Sequence, residues 1–134
     1  MATCSGVRVT EPRLDPLILC DDCCVSKEAA VIVENAVLAR GTVVWYDGTD
    51  QKWKPLPAVV PAVLPVPFQL GILNNAVDTT VCIPPVTGLG VITTHNARYV
   101  LASVAWPTAI TPADKQRVKD LLWANGMKPV NNIA

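Results

Sequence analysis

The chain has 134 residues, 51% of them hydrophobic and only 16% charged, with eleven basic side chains balancing eleven acidic ones. That length suits one domain, with a radius of gyration of roughly 14 Å and a core burying about two-thirds of the surface the unfolded chain exposes. Zero formal net charge and no Lys/Arg run argue against an electrostatic grip on nucleic acid or anionic lipid, and a single His leaves no material for a His-based metal or catalytic cluster. Twelve prolines, well above the average share of about 5%, point to β-structure with long loops.

The opening MATCSGVRVT lacks the basic start and apolar run of an export signal, so the chain is expected to stay where it is made. Residues 1–26 mix short apolar pieces (Val7 and Val9; Leu14, Leu17, Ile18 and Leu19) with Pro12 and Pro16, without helical periodicity. This pattern marks an extended arm ahead of a β-rich body over 27–134. Each piece is too short to make a sheet by itself, so the arm either pairs with the body or completes another chain's exposed edge.

Cys4, Cys20, Cys23, Cys24 and Cys82 are odd in number and fit a reducing compartment better than a disulfide framework. Cys20 and Cys23 have the spacing of half a zinc knuckle, but the second half is missing, and Cys24, Cys4, Cys82 and His95 have no paired-ligand spacing. Asp21 and Asp22 oppose a thiolate between them, and with Asp15 they lack the alternation of a calcium loop. A cysteine-centred metal-binding or redox module is the alternative reading, set against inert thiols.

Residues 29 to 46 are dense in β-branched side chains and predict two strands, broken around Glu34 and Asn35. Asp47-Gly48-Thr49 then reverses the chain. From 54 to 68, Pro55, Pro57, Pro61, Pro65 and Pro67 exclude a helix or central strand and predict a polyproline-like loop. They also exclude a membrane-spanning helix in the uncharged stretch 55–77, because hydrocarbon replaces no lost amide donor. The loop's Val and Leu side chains either cover the domain's own core or join a protein interface.

Gly71-Ile72-Leu73 and residues 80–83, 91–94 and 99–104 are further strand candidates, punctuated by Pro84-Pro85, Gly88 and Gly90, the pattern of a small barrel or sandwich. One helix is well marked from 112 to 125: Thr111 caps it, Pro112 takes the first position, Asp114 sits in the positive first turn and Gly126 offers the stop. Ala113, Val118, Leu121 and Leu122 form the stripe that packs on the sheet. No nucleophile elbow or phosphate loop is present, Ser5, Ser26 and Ser103 have no nucleophile context, and His95 reads as a loop or strand-end residue, so no enzyme is expected. Among Trp45, Trp53, Trp106 and Trp123, Trp45 reads as core, and the others are open to core or interface roles.

Several segments, in order, carry a likeness: DPLIL at 15–19, VVWYDGT at 43–49, GIL at 71–73, Arg98-Tyr99 followed by Trp106-Pro107, and the polar helix from Thr111. Together they resemble the head decoration proteins of tailed phages, the capsid-stabilising family typified by the phage lambda decoration protein. The order, across most of the chain, is what is specific. The interval from Tyr99 to Trp106, the cysteine-bearing stretch around 20–30 and the Pro-rich loop depart from the family, so loop contacts do not carry over.

The resemblance implies an α/β mixed (α+β) fold: a small β-rich domain, β-barrel or tulip-like, with one C-terminal helix and an extended N-terminal arm. It implies a homotrimer on the outer surface of the expanded virion capsid at three-fold positions, made in the host cytoplasm, without cofactor or metal, nucleic acid or membrane. The arm, through Val7, Val9, Leu14, Pro16, Leu17, Ile18 and Leu19, would order on the major capsid protein. Trp53, Val60, Leu64, Trp106 and Pro107 are the candidate trimer or capsid contacts. The arm's chemistry agrees, because Val7 and Val9, or Leu17 and Leu19, can each face one apolar surface.

Overall fold

The computed structural model describes residues 18–19, 26–62, 68–81 and 86–130. Five strands, β2 (Ser26–Ile32), β4 (Val43–Asp47), β5 (Lys52–Pro55), β6 (Phe68–Leu73) and β8 (Gly88–His95), close a barrel in the order β2-β5-β4-β6-β8. β1 (Ile18–Leu19) and β10 (Met127–Val130) flank β9 (Ala97–Val100) in a second sheet, and β3 (Val37–Leu38) pairs with β7 (Val77–Asp78) in a third. One helix, α1 (Pro112–Ala124), packs against β10 and β6. The β-rich mixed architecture with a single C-terminal helix is the one the sequence indicates.

Period-two alternation sends adjacent side chains of the barrel strands into two different cores. Val44 of β4 turns inward to meet Ile32, Trp53, Leu73 and Ile92, one from each of the other barrel strands, and these fill the lumen. Val43, its neighbour, turns outward with Leu70 and Ile72 against Tyr99, Val118, Leu122 and Met127, so β9, α1 and β10 form an outer layer over that wall. Gly90 keeps the lumen passable: a Cβ there would sit 2.9 Å from Leu73 Cδ1 and 3.3 Å from Ile32 and Val77 side-chain atoms.

The turns form where the sequence predicts, although at the first of them the positive φ falls on Gln51 (59°) and not on Gly48. Asp47 Oδ1 accepts from Thr49 N at 2.9 Å, and the chain returns as β5 antiparallel to β4, with Tyr46 opposite Trp53. Asn35, in the break after β2, adopts positive φ (60°), a conformation Asn tolerates well. Thr111 Oγ1 accepts from Asp114 N at 3.1 Å, Pro112 opens α1, and Gly126 follows it at φ 80°.

Several expectations are corrected. The region from 29 to 46 holds three strands rather than two, since Val37–Leu38 leaves the barrel to pair with Val77–Asp78. That pairing takes the place expected at 80–83: Thr80 and Val81 are outside any strand, and 82–85 lie outside the described residues. The stretch 99–104 stops being a strand at Val100, where Leu101–Ser103 forms a turn of 3-10 helix. The proline stretch predicted as loop begins with the end of a strand, β5, in which Pro55 lies opposite Val44. β10, parallel to β9, was not anticipated.

Candidate docking surface

The surface begins where the arm meets the body. Ile18 lies opposite Tyr99 and Leu19 opposite Arg98, antiparallel, so the last part of the arm is a short edge strand on β9 and the folded unit reaches upstream of residue 27. The half-buried Ile18 packs against the outer core beside Tyr99. Val7, Val9, Leu14, Pro16 and Leu17 lie outside the described residues, as do Leu64 and all five cysteines.

Two candidate contacts are interior. Trp53 is 5% exposed in the barrel lumen, where its ring packs against Tyr46 at 5.5 Å between centroids, and Val60 is 6% exposed in the outer core. Neither presents a face to a partner. Proline punctuation could not separate these alternatives, because the loop is held down by polar contacts distant in sequence. Asp114 Oδ2 accepts from Val60 N at 3.3 Å, and Arg117 donates to Pro61 O at 2.6 Å and Ala62 O at 3.0 Å. Leu56 and Val60 thus cover the domain's own core, while Val59 between them is left 78% exposed.

Trp106 and Pro107 are half-buried, and Trp106 lies at the margin of the outer core with Lys115 Nζ 5.8 Å from its ring centre. Trp45 is also half-buried against that core, with Lys54 Nζ 5.8 Å from its ring. Trp123 is 56% exposed beneath Lys128 at 5.4 Å. A cation over each ring shields part of its apolar face and adds a modest attraction.

Charge concentrates at the β4–β5 hairpin. Lys54 Nζ lies 3.0 Å from Asp47 Oδ2 and 2.8 Å from Asp50 Oδ2. The Thr49 amide and then Lys54 hold the Asp47 carboxyl below its ordinary range, Lys54 does the same for Asp50, and the two carboxylates, Asp50 foremost, raise Lys54. One ammonium bridges two carboxylates and leaves a single net negative charge at an exposed hairpin turn, a surface ion-pair cluster of the kind that contributes little to stability.

His95, at the end of β8, has its Nδ1 2.7 Å from Thr94 Oγ1, a contact between neighbours in sequence. Among the described residues, no group of three or more His, Cys, Asp and Glu could hold a metal ion, and no helix is long and apolar enough to cross a membrane. The feature that motif reading missed is the outer wall of β2 and β8, where Val31 (41%), Leu89 (63%) and Val91 (42%) are exposed together. The signal was in the sequence as the unbroken apolar run from Ala29 to Val33, a pattern typical of strands covered on both faces.

No family model matches the chain, and no curated protein matches it significantly.

Proposed function

We propose that this chain is a capsid decoration protein, a cement that binds the outer surface of an assembled, expanded phage head as a trimer at three-fold positions and stabilises it. The observation that carries the reading is how the resembling segments meet. The end of DPLIL pairs with Arg98-Tyr99, Ile18 opposite Tyr99 and Leu19 opposite Arg98. The strand of VVWYDGT pairs with GIL, Val43 opposite Ile72 and Val44 opposite Gly71. Trp106 lies beside Lys115 of the polar helix. These segments border one core, since Val43, Ile72 and Tyr99 share a cluster against which Ile18, Trp45 and Trp106 pack.

The mechanism needs no catalysis. The arm docks on the major capsid protein through backbone hydrogen bonds and alternate apolar side chains. Three arms on one trimer convert later contacts into intramolecular events, a gain of about 10² to 10⁴ in avidity.

Deleting residues 1–16 tests this, because the cut spares β1 and its ladder to β9. Co-sedimentation with expanded shells of the same virus's major capsid protein should show saturable binding of the full chain and a loss of about 10²-fold or more in the truncated one. Full occupancy by the truncated chain would remove the arm from the mechanism. Failure of the full chain to bind would remove the function.

A further inference from the structure

The barrel has a covered wall and a bare one. Outside β4 and β6, Val43, Leu70 and Ile72 are buried under α1, β9 and β10. Outside β2 and β8, the same alternation sets Ala29 directly opposite Val91 and Val31 opposite Leu89, and among the described residues all four are left exposed. Scattered surface apolar residues are ordinary, whereas a contiguous apolar patch marks an interaction site.

The patch continues into a groove that leads to the arm. A recess of about 550 Å³ is lined by residues that include Lys27, Ala29, Asn74, Leu89 and Val91. A smaller one of about 180 Å³ is lined by Ile18, Lys27, Arg40 and Asn74, so the two share Lys27 and Asn74. The floor is fixed in advance: Asn74 N donates to Val91 O at 2.7 Å, Val91 N to Asn75 Oδ1 at 2.9 Å, and Thr93 Oγ1 to Asn74 Oδ1 at 3.0 Å. A rigid floor lowers the ordering cost of binding.

We propose that the outer wall of β2 and β8, with its groove to Ile18, is the second half of the capsid-docking footprint and seats an apolar segment of the major capsid protein bearing a carboxylate that meets Lys27. This rests on the function proposed above. The position of the arm names the occupant. Residues 1–17 join the described fold at Ile18, which lines the smaller recess, so a protein engaged by the arm close to that junction meets the wall. The chemistry of the wall sets the segment's character: apolar opposite Val31, Leu89 and Val91, and acidic at the rim where the exposed Lys27 stands.

Leu89→Asp and Val31→Asp, made separately, place a charge on this wall at positions already open to solvent, and Leu89→Ser supplies a milder change if either unfolds early. Each is compared with the unaltered chain and the 1–16 deletion for co-sedimentation with expanded shells, for mass in solution and for thermal unfolding. The expected result is a loss of shell affinity of about tenfold or more in the wall variants, with mass and melting unchanged. Unaltered affinity in the wall variants, with the deletion still defective, overturns the inference and leaves the arm's role standing. A changed solution mass overturns it by making the wall a contact between copies of this chain. Absence of binding by the unaltered protein removes the proposed function and this footprint with it.

Discussion

Tyr99 concentrates an energetic conflict in one side chain. Its ring is wholly buried in the outer core, yet its hydroxyl has no hydrogen-bond partner among the described residues. Burial pushes the phenol from 10.0 up to about 12, because the charged form loses its hydration. Tyr99→Phe removes the polar atom and leaves the packing, so urea unfolding at neutral pH should show stability unchanged or raised by up to about 1 kcal/mol. The pH dependence has a definite sign. The folded state holds the proton above pH 10 while the unfolded state releases it, so this contribution is complete below pH 10.0 and is lost as the pH rises through about 12. The Phe variant should lack that component of alkaline destabilisation; an identical alkaline profile would mean that Tyr99 is solvated. Gly41 is constrained by geometry instead. Its φ is 91°, and a Cβ would collide with the Ser103 carbonyl oxygen. Gly41→Ala should cost more than about 1 kcal/mol in the same measurement, and a neutral result would require the segment around Ser103 to yield.

At the scale of elements, α1 offers the clearest test. Thr111 Oγ1 satisfies the Asp114 amide at 3.1 Å, and Asp114 reaches back to Val60 N at 3.3 Å, so one cap fixes both the helix start and the loop beneath it. Thr111→Ala should cost about 1 kcal/mol, read as a lowered unfolding midpoint, and should expose Val60 to faster amide exchange. Unchanged exchange at Val60 would separate the loop from the cap. This helix was legible because its signals are local: cap, proline, acidic first turn and glycine stop fall within one short stretch. The β4–β5 turn was legible in part: Asp47 accepts from Thr49 N as its residue type suggests, but the positive φ falls on Gln51 and not on Gly48. Pairing across distance was not legible. β10 lies at the edge of its sheet with Pro129 opposite Tyr99, where an absent amide breaks no inner ladder. Pro55 is tolerated for a different reason, as the last residue of a strand inside the closed barrel. The β3–β7 pair depends on Thr79, whose hydroxyl accepts from Ala36 N at 2.8 Å and donates to Val33 O at 2.9 Å, a bond across the fold that no local pattern announces. The arm and the Trp positions could be named from sequence as candidates. Their division into surface and interior could not, because Trp53 and Val60 are buried by partners far along the chain.

For the whole molecule, the decisive property is asymmetry among the described residues: a barrel with one wall sealed by its own helix and second sheet, and the other apolar and exposed. Such a domain keeps apolar area that a partner can bury, which is what the proposed function asks of it. Under the proposed function, its effect on a shell is mass action. A ligand that binds the assembled lattice and not its dissociated subunits stabilises the lattice by about 2.7 kcal/mol at a hundred times Kd and about 4.1 kcal/mol at a thousand times, per site. The disruption temperature of expanded shells, followed by light scattering, should therefore keep climbing with free protein after every site is filled. The 1–16 deletion should trace the same curve displaced to higher concentration, since weaker docking changes Kd and not the form of the linkage. A disruption temperature that stops rising once occupancy is complete would show instead that decoration slows disassembly kinetically, with the protein leaving only after the lattice has failed.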